Sequence, residues 1–585
     1  MRFRWCISPT LPLLSEQLAR ELKLPALIIQ CLVNRGLSDT DGINNFLEPR
    51  LKALADPFLL PGMELAVGRL IEARERGEAL AIFGDYDVDG VTATALLYET
   101  LTRLGWRVEC YLPSRMEEGY GLSREGVENC LKKFPVKLVL AVDCGSSSRD
   151  QIAEMKRRGI DVIVVDHHQV SSPAPEPVAL VNPRAASRTP EAGASSACAS
   201  AQPIPFAELC SAGLGFKLAH ALVKRGREKD ITEATDFDLR PLLDLVALGT
   251  IADLVPLTGE NRILVSAGLD RLNRTQRPGL VALKQVAKTA SPLGVFETGF
   301  QLAPRLNAAG RLETASAALD LLNAGTLDEA LPLARKLDAC NQERRHIERQ
   351  TLEEASAAIQ ASFDPANHFV IVQGRDPWHV GVVGIVASRL LHQYYRPTII
   401  LGGEGGEWRG SGRSVAGFDL AAALRECGDL LVRYGGHAMA AGLTIEPAKV
   451  EPFRQRFNEV AKSRLKTEDL QPALRLDSEV KLADMDFGAV RQLERLGPVG
   501  QGNAPAQFVA RKLTHQRPLQ RIGPNKQHVK MWVTDGVNNH ESVWWGAGNE
   551  SLPVGQFDLA FVPRIDTYNG RAAVQLKVLD WRTSE

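Results

Sequence analysis

"LAIFGDYDVDGVTATALL", residues 80–97, determines the fold of the first half of the chain. An apolar run typical of a buried strand ends at Gly84, and Asp85, Asp87 and Asp89 follow at alternate positions before a helix-like segment. Three like charges this close repel one another and destabilise the fold unless a cation holds them. The stretch therefore predicts a strand, a carboxylate-rich turn and a helix, with a cation bound at the turn.

The composition of the chain is that of an ordinary globular protein. Of its 585 residues, 44% are hydrophobic and 24% are charged, and the formal net charge is −1. No apolar run reaches the roughly 18–20 residues of a membrane span, and the N-terminus lacks the pattern of a signal peptide. Nine cysteines without a C-x-x-C pair indicate free thiols in a reducing compartment rather than a zinc site. We therefore expect a cytoplasmic protein with no membrane segment.

Two more strand-like runs follow the first, and each ends in an aspartate. The runs "KLVLAVD" and "DVIVVD" end at Asp143 and Asp166, and polar helix-like stretches separate them. Short buried strands joined by helices indicate a parallel sheet, in which the carboxyl ends of the strands line the ligand crevice. We expect the aspartates to meet at that edge of the sheet.

The remaining sequence divides by pattern into further segments. Residues 184–204 are rich in Ala, Ser and Pro and indicate a flexible surface loop, and residues 213–300 have mainly helical patterns. Apolar positions at helical spacing within 312–362 predict helices, the last one long. We expect a second α/β unit over 366–465, and the regular turn signals from about 470 onward indicate a small barrel or sandwich.

Four groups of potential metal ligands stand out. They are Asp85, Asp87 and Asp89; Asp143; Asp166, His167 and His168 in "VVDHHQV"; and Asp253 in "GTIADLVPL". Singly, each group has a structural explanation as a turn former, a helix cap or a buried histidine. Together, acids at one sheet edge require cations, and oxygen ligands with one or two imidazoles suit Mn²⁺ or Mg²⁺. Two such ions would activate water and stabilise the phosphoester oxygens during hydrolysis.

The motifs "GDYDVDG", "VDCG", "DHH" and "GTIADLVPL" occur in this order and resemble those of the DHH phosphoesterases. Four later motifs, "APRLNAAGRL", "WHVGVVGIVASRL", "SGRS" and "GGHAMAAGL", extend the resemblance to the bacterial single-strand-specific 5′→3′ exonucleases of that family. The resemblance covers residues from about 50 to 585. It implies an exonuclease of DNA repair and recombination that releases mononucleotides from single-stranded DNA and uses two Mn²⁺ or Mg²⁺ ions.

The resemblance also implies the fold class: an α/β parallel-sheet DHH domain, a long connecting helix, a DHH-associated α/β domain and a C-terminal β-barrel (OB-fold). The expected segments are N-terminal helices at 1–55, the DHH domain at 56–311, connecting helices at 312–365, the DHH-associated domain at 366–465 and the OB-fold at 466–585. The long helix would let two domains face each other across a cleft that admits one strand and excludes a duplex.

Carried over by position, the resemblance assigns roles at the metals. The implied ligands are Asp85 and Asp87 for the first ion and Asp89, His167 and Asp253 for the second ion. Asp143 would bridge the two ions. Asp85 could instead orient the other ligands without binding an ion. His168 would contact the scissile phosphate and complete the catalytic set with Asp87, Asp89, Asp143, His167 and Asp253.

The later motifs supply the implied DNA contacts. Ser411 and Arg413, expected in a glycine-rich loop, and Arg115 would bind the 5′ phosphate and so impose 5′→3′ polarity. The other implied contacts to the strand are Arg305, Asn307, Arg311, Gly436 and His437. From chemistry alone, His437 is equally a ligand contact or a core histidine.

Residues 511–530 hold six basic side chains and no acid, which suits either a solvated strand face or the phosphate-tracking surface of an OB-fold. Trp532, Trp544 and Trp545 could stack bases there, although for any one of them a place in the barrel core is favoured. The chain departs from the family pattern at Ser146, where a hydrophobic residue is usual.

Three other functions share parts of this reasoning. A phosphodiesterase acting on short oligonucleotides or cyclic dinucleotides would be shorter, and a soluble pyrophosphatase would need no C-terminal domain. A non-catalytic DNA-binding scaffold would have lost metal ligands, whereas every expected acid and both histidines are present.

The expected partner is single-stranded DNA with a 5′ end, and single-strand-binding protein and a helicase are candidate protein partners. Nothing in the sequence indicates an oligomer, so we expect a monomer.

Overall fold

The computed structural model describes residues 3–114, 118–119, 121–185, 206–312, 315–403, 405–567, 570 and 572–584. The chain folds into two compact units. The acidic-site unit contains Asn45–Glu343 and Pro498–Ala504, and the three-sheet unit contains Met1–Asn44, Arg344–Gly497 and Pro505–Glu585. The surface loop predicted at 184–204 lies outside the described residues from 186 onward.

Strands and helices are numbered in chain order. The strands are β1 Arg4–Ile7, β2 Ala79–Gly84, β3 Arg107–Tyr111, β4 Leu138–Val142, β5 Asp161–Val165, β6 Ala179–Val181, β7 Ile371–Gly374, β8 Thr398–Gly402, β9 Trp408–Arg413, β10 Arg433–Gly436, β11 Ala440–Ile445, β12 Ala473–Leu476, β13 Ser478–Glu479, β14 Phe508–His515, β15 Gln520–Ile522, β16 His528–Thr534, β17 Asn539–Trp544, β18 Phe557–Asp566 and β19 Ala573–Thr583. The helices are α1 Pro12–Leu22, α2 Ala26–Asn34, α3 Thr40–Leu47, α4 Met63–Glu75, α5 Val88–Arg103, α6 Arg124–Lys133, α7 Arg149–Arg157, α8 Ser211–Glu228, α9 Thr232–Thr235, α10 Leu243–Ala252, α11 Gly259–Asn273, α12 Pro278–Ala287, α13 Val295–Glu297, α14 Ala303–Leu312, α15 Ser316–Asn323, α16 Leu327–Ser362, α17 Val383–Tyr394, α18 Leu420–Glu426, α19 Val450–Arg464 and α20 Phe487–Leu493, with a π turn at Thr298–Leu302.

The acidic-site unit is built on a parallel five-stranded sheet in the order β3-β2-β4-β5-β6. Along β2, Leu80 and Ile82 face one core while Ala81 and Phe83 face the other, because successive strand residues point to opposite sides. Helices α4, α5, α8 and α10 cover the first face, and α6 and α7 cover the second. Burial on both faces explains why these strands are apolar throughout, and the predicted parallel α/β sheet is confirmed.

The three-sheet unit contains a mixed sheet in the order β10-β11-β9-β8-β7, in which only β7 and β8 pair in parallel. Helices α18 and α19 pack on one face of this sheet, and α17 packs with the second half of α16 on the other. The "SGRS" motif was predicted in a loop, but Ser411 and Arg413 lie in strand β9. Its glycine serves packing instead, since a Cβ at Gly412 would lie 2.8 Å from Leu420 Cδ2.

The C-terminal sheet has the order β13-β14-β18-β19-β17-β16-β15, and an additional pairing of β14 with β16 partly closes it. A small, partly closed barrel is the architecture of an OB-fold. Sequence patterns over 1–55 predict only helices, but β1 forms a separate two-stranded parallel sheet with β12. Four residues are too short to show a strand pattern, and the pairing partner lies more than 400 residues away along the chain.

Helix α16 has 36 residues and is the long connecting helix that the sequence predicts. It begins in the acidic-site unit and ends in the three-sheet unit. The predicted fold class, α/β units joined by a long helix and followed by a β-barrel, is confirmed, whereas the exact segment boundaries stay a prediction. Among the helices of the described ranges, none is both long and apolar enough to cross a membrane.

Candidate metal centre and nucleic-acid contacts

The register of the parallel sheet brings three aspartates to one level. The last residues of β2, β4 and β5 are paired with one another across the sheet. Asp85, Asp143 and Asp166 follow these strands directly and therefore leave the sheet side by side. Because β3 and β4 lie on opposite sides of β2, the β2–β4 pair is a topological switch point, where open α/β sheets place their ligands.

Asp87 and Asp89 lie at the start of α5. Asp87 is the N-cap residue, and its Oδ1 accepts a hydrogen bond from the Gly90 N–H at 3.1 Å. Asp89 lies in the first turn and is only 1% exposed. The first turn of a helix favours carboxylates because its N–H groups are unpaired and its dipole is positive. A carboxylate as deeply buried as Asp89 still needs further partners.

The N-terminus of α8 supplies those partners. Asp89 Oδ2 accepts a hydrogen bond from the Ser211 N–H at 2.7 Å, and Asp89 Oδ1 accepts one from the Ala212 N–H at 2.8 Å. The Ser211 hydroxyl donates to Asp143 Oδ1 at 2.8 Å. One helix end therefore fixes the orientation of two predicted metal ligands while leaving lone pairs free. Sequence reasoning missed Ser211, because nothing in "SAGLGFKLA" marks it as a neighbour of acids 68 and 122 residues earlier.

The imidazole of His167 points into the acidic cluster. Its Nε2 lies 3.4 Å from Asp143 Oδ1, 3.7 Å from Asp253 Oδ2 and 3.8 Å from Asp89 Oδ2. This nitrogen is buried and has no hydrogen-bond partner among the described residues. Burial lowers the pKa of His167 to about 4, so the ring is neutral and offers a lone pair. A neutral nitrogen and three carboxylate oxygens directed at one point fit a divalent cation.

Ligand atoms gather into three groups, in each of which they lie within 4.8 Å of one another. The groups are Asp85, Asp87 and Asp143; Asp89, His167 and Asp253; and Asp143, His167 and His168. The first two groups together contain all six residues predicted as metal ligands. The structure thus brings these residues together, and their roles at the metals stay a prediction.

The electrostatics of the cluster favour a bound cation. Burial and the charge of Asp87 raise the pKa of Asp85 to about 7, and burial and the charge of Asp89 raise the pKa of Asp253 to about 9. Burial and the same Asp89 charge raise the pKa of Asp143 well above its usual range. These carboxylates therefore resist ionising together, and divalent ions would stabilise their charged forms.

His168 differs from its neighbour in both position and charge. Its side chain is 54% exposed, and Nδ1 donates to Asp166 Oδ1 at 2.7 Å. Burial alone would lower the pKa of His168, but the hydrogen bond and charge of Asp166 raise it to about 9. The ring is therefore a cation near neutral pH, which suits a phosphate contact better than a metal ligand. The contact of His168 with the scissile phosphate stays a prediction.

Asp166 has a positioning role that sequence reasoning did not assign. Its Oδ2 accepts from the Ser146 N–H at 3.0 Å, and its Oδ1 accepts from the His168 N–H at 3.1 Å. The buried Asn182 amide donates to the Ser146 hydroxyl at 2.8 Å and to the His168 carbonyl at 2.9 Å. Ser146, which departs from the family pattern, therefore belongs to a polar network that fixes the second histidine.

Helix α14 packs against the acidic loop between β2 and α5. Asn307 Oδ1 accepts a hydrogen bond from the Val88 N–H at 3.1 Å, and a Cβ at Gly310 would lie 2.8 Å from the Tyr86 carbonyl oxygen. Asn307, predicted as a DNA contact, thus has one side-chain atom committed to the point where the acidic loop enters α5, between Asp87 and Asp89; its DNA contact stays a prediction.

The arginines predicted to contact the strand have different surroundings. Arg305 is half-buried; its Nε donates to Asp338 Oδ1 at 2.8 Å and its Nη1 to the Gln301 carbonyl at 2.5 Å. Arg311 lies half-buried in the last turn of α14. Arg115 lies outside the described residues. The DNA contacts of these arginines stay a prediction.

In the three-sheet unit, Ser411 and Arg413 form a small polar group on β9. Arg413 Nη1 donates to Ser411 Oγ at 2.9 Å and to the Gly412 carbonyl at 2.8 Å. A Cβ at Gly384, on α17, would lie 3.0 Å from Ser411 Oγ and 3.2 Å from Arg413 Nη2. The bare glycine therefore leaves room for both side chains beside the first turn of α17.

Gly436 and His437 lie where β10 turns toward β11. Gly436 has φ of 142°, and a Cβ there would lie 2.5 Å from the Ala440 carbonyl oxygen, so the turn requires glycine. The His437 N–H donates to the same carbonyl at 2.8 Å, and the residue is exposed. The structure therefore excludes the core alternative for His437 and leaves its substrate contact a prediction.

The OB-like barrel presents a cationic and aromatic surface. The Arg517 guanidinium lies 4.8 Å from the centre of a Trp532 ring. Trp545 is 46% exposed and lies between His528 at 4.6 Å and Arg564 at 5.6 Å, so the preference for a core position is wrong for this indole. Exposed aromatic rings beside cations are typical of protein surfaces that bind single-stranded nucleic acids.

Residues 79–250 match the DHH family, N-terminal domain, residues 367–463 match the DHHA1 domain, and residues 476–580 match the RecJ OB domain. With the parallel sheet and its acidic edge, these matches define a protein of the DHH class, which confirms the resemblance inferred from the motifs.

The Dickeya dadantii (strain 3937) protein named single-stranded-DNA-specific exonuclease RecJ is 36% identical over 581 residues, covering 95% of this chain and 96% of the relative. The chain belongs to the RecJ family. The crystal structure of RecJ in complex with Mn²⁺ from Thermus thermophilus matches with a TM-score of 0.82 at 29% identity, over 100% of this chain and 80% of that one. The corresponding Mg²⁺ complex matches with a TM-score of 0.77 at 28% identity, over 100% and 79%.

Proposed function

We propose that this protein is a metal-dependent exonuclease that hydrolyses single-stranded DNA from the 5′ end, releases mononucleotides and acts in DNA repair and recombination. The observation that carries the proposal is His167 Nε2, a buried nitrogen without a hydrogen bond among the described residues that lies 3.4–3.8 Å from three carboxylate oxygens. The relatives support it, since the family members compared above include a single-stranded-DNA-specific exonuclease and crystal structures with Mn²⁺ and Mg²⁺.

The proposed site holds two ions of Mn²⁺ or Mg²⁺. Their ligands would be Asp85 and Asp87 for one, Asp89, His167 and Asp253 for the other, and Asp143 for both. Ions bound there would supply a water of lowered pKa and neutralise charge on the scissile phosphate. The chain's own contribution is orientation: α8 fixes Asp89 and Asp143 through N–H and hydroxyl donors. The cationic His168, held by Asp166, would bind a phosphate oxygen.

The 5′ end is proposed to bind in the three-sheet unit. Arg413 and Ser411 are in contact and lie beside the first turn of α17, a surface that suits a terminal phosphate. Anchoring the strand by that phosphate would impose 5′→3′ polarity. The further proposed contacts to the strand are Arg115, Arg305, Asn307, Arg311, Gly436 and His437.

The proposed organisation follows from the same reasoning. A DHH domain at 56–311, a DHH-associated domain at 366–465 and an OB-fold at 466–585 would share one DNA strand. The cysteines, which lack paired spacing, support action in a reducing compartment such as the cytoplasm. The proposed form is a monomer, and single-strand-binding protein and a helicase are the proposed protein partners.

The test uses single- and double-stranded DNA labelled at the 5′ or the 3′ end, with Mn²⁺ or with chelator. Labelled mononucleotide should appear first from the 5′-labelled single strand, only with metal. Asp143→Ala should abolish turnover because it removes a ligand shared by both ions, while Asp150→Ala, which removes an exposed carboxylate on α7, is the matched control. Near-normal activity of Asp143→Ala with metal present would refute the bridging assignment, and release from the 3′ end would refute the polarity.

A further inference from the structure

A pair of exposed phenylalanines lies near the start of the helix that reaches the acidic loop. Helix α13, the π turn and α14 follow one another without a break from Val295 to Leu312. Phe296 and Phe300 are 61% and 68% exposed, and their rings stack with centroids 5.1 Å apart and planes at 28°. Two stacked rings thus present apolar faces to solvent.

Folding stability gives little reason for this pair. Aromatic side chains four residues apart stabilise a helix only slightly, whereas rings buried in a core would contribute far more. Phe300 also lies in the π turn, and π turns are rare and occur frequently at functional sites. Exposed apolar surface held in such an element points to a binding role.

The position of the pair connects it with the metal centre. A Cβ at Gly299, in the π turn, would lie 3.3 Å from Ile251 Cγ2, so this turn packs on α10 two residues before the ligand Asp253. Further along the same helix, Asn307 accepts the hydrogen bond from Val88 that shapes the acidic loop. Seven residues separate Phe300 from Asn307, which is about two turns, or roughly 10 Å along the helix.

The charged groups near Phe296 and Phe300 favour bases rather than phosphates as the ligand. The nearest arginine along the helix, Arg305, forms an ion pair with Asp338 at 2.8 Å. The Glu297 carboxylate between the two rings in sequence accepts the Gly294 N–H at 2.8 Å and repels phosphate. Flat aromatic faces with an acid beside them suit an uncharged π surface, which every nucleobase offers.

We propose that Phe296 and Phe300 form a platform on which unpaired bases of the DNA strand stack beside the metal centre. The inference rests on the proposed function, because it takes single-stranded DNA as the substrate. A duplex keeps its base faces covered by neighbouring pairs, so the platform also contributes to the preference for single strands.

The test compares the full chain with its Phe296→Ala/Phe300→Ala variant on 5′-phosphorylated strands. One strand is intact, and the others carry a single base-free residue at successive positions from the 5′ end. Stacking of one base is worth about fivefold to 150-fold in binding. The variant should therefore raise KM for the intact strand at least about fivefold, and removing the contacted base should weaken the wild type but not the variant.

Matched variants separate stacking from general damage. Phe296→Tyr/Phe300→Tyr keeps the aromatic faces and should restore the wild-type KM, whereas Phe296→Leu/Phe300→Leu should not. Leu65→Ala removes a side chain on α4 that is 63% exposed in the same unit, and it should leave KM unchanged. Melting temperatures of all variants report folding.

Two results would overturn the platform. One is a KM for the alanine variant within about twofold of the wild type, and the other is an equal loss on intact and base-free strands, which would indicate a protein-binding or structural surface. Failure of the proposed function is a different result, since the wild type itself would then leave single-stranded DNA intact in Mn²⁺. In that case, equilibrium binding of the same strands to the wild type and the variant still tests whether Phe296 and Phe300 bind bases.

Discussion

Replacing Gly249 with alanine should displace the side chain of Asp89 and so weaken metal binding. Gly249 lies in α10, where that helix crosses α5 and α8. A Cβ there would lie 2.6 Å from Ala212 Cβ and 3.2 Å from Asp89 Oδ1, and closer still to Thr92 Oγ1. Ordinary van der Waals contact begins at 3.4 Å, so the new methyl is almost 1 Å too close to two helices.

Two opposing effects set the magnitude. Overpacking a tight core costs about 1–3 kcal/mol, whereas alanine in a helix interior gains about 1 kcal/mol over glycine. The net destabilisation should therefore be about 0–2 kcal/mol. Moving Asp89 also disturbs a ligand that two N–H groups orient, and losses of this kind lower metal affinity about 10–100-fold.

Chemical unfolding and Mn²⁺ titration measure both effects. Gly68→Ala is the matched control, since that helical glycine has nothing within 4 Å of its Cβ position and should gain stability. Ala212→Gly removes one of the clashing atoms and keeps the N–H bond to Asp89, so the Gly249→Ala/Ala212→Gly pair should regain part of the loss. If Gly249→Ala matched the wild type in stability and Mn²⁺ affinity, the packing account of the site would be wrong.

The Ser211 hydroxyl, the raised pKa values of the cluster and the Arg413 guanidinium can each be tested separately. Ser211→Ala removes the hydroxyl that donates to Asp143 and should weaken Mn²⁺ binding about tenfold or more by calorimetry, with unchanged affinity as the contrary result. With metal chelated, the free energy of unfolding should fall as pH rises from about 6.5 to 9. The pKa of Asp253 in the folded state is about 9, so the folded state keeps a proton that the unfolded chain has already lost. The slope for that proton is about 1.4 kcal/mol per pH unit. The raised pKa of His168 lowers stability over the same pH range. Saturating Mn²⁺ should flatten the dependence of stability on pH. A flat dependence in chelator would contradict the raised pKa values. Arg413→Ala should remove the preference for 5′-phosphorylated over unphosphorylated strands, whereas Arg409→Ala, an exposed arginine on the same strand, should keep it; equal preference in the two variants would exclude the phosphate role.

The sheet and its acidic edge could be predicted because the signals are local. Each apolar run and the aspartate after it are contiguous in sequence, and parallel strands deliver their ends to one edge. The position of Asp253 beside that edge is not local, and it came from the resemblance of motifs rather than from periodicity.

The supports of the site could not be predicted in this way. Ser211 meets Asp89 across 122 residues, and Gly249 is required only because three helices cross at that point. The glycines around Ser411 have the composition of a loop, yet they lie in a strand. They are glycines there because neighbouring side chains leave no room for a Cβ. Such requirements arise from packing between distant segments, which no single stretch of sequence reveals.

The most direct test of the central claim is anomalous X-ray diffraction from crystals of the full chain grown with Mn²⁺. Two manganese peaks about 3.5–4 Å apart should appear at the edge of the parallel sheet. One should lie among Asp85, Asp87 and Asp143, and the other beside His167 Nε2. No manganese at this edge, or a single ion that leaves His167 without a metal bond, would contradict it.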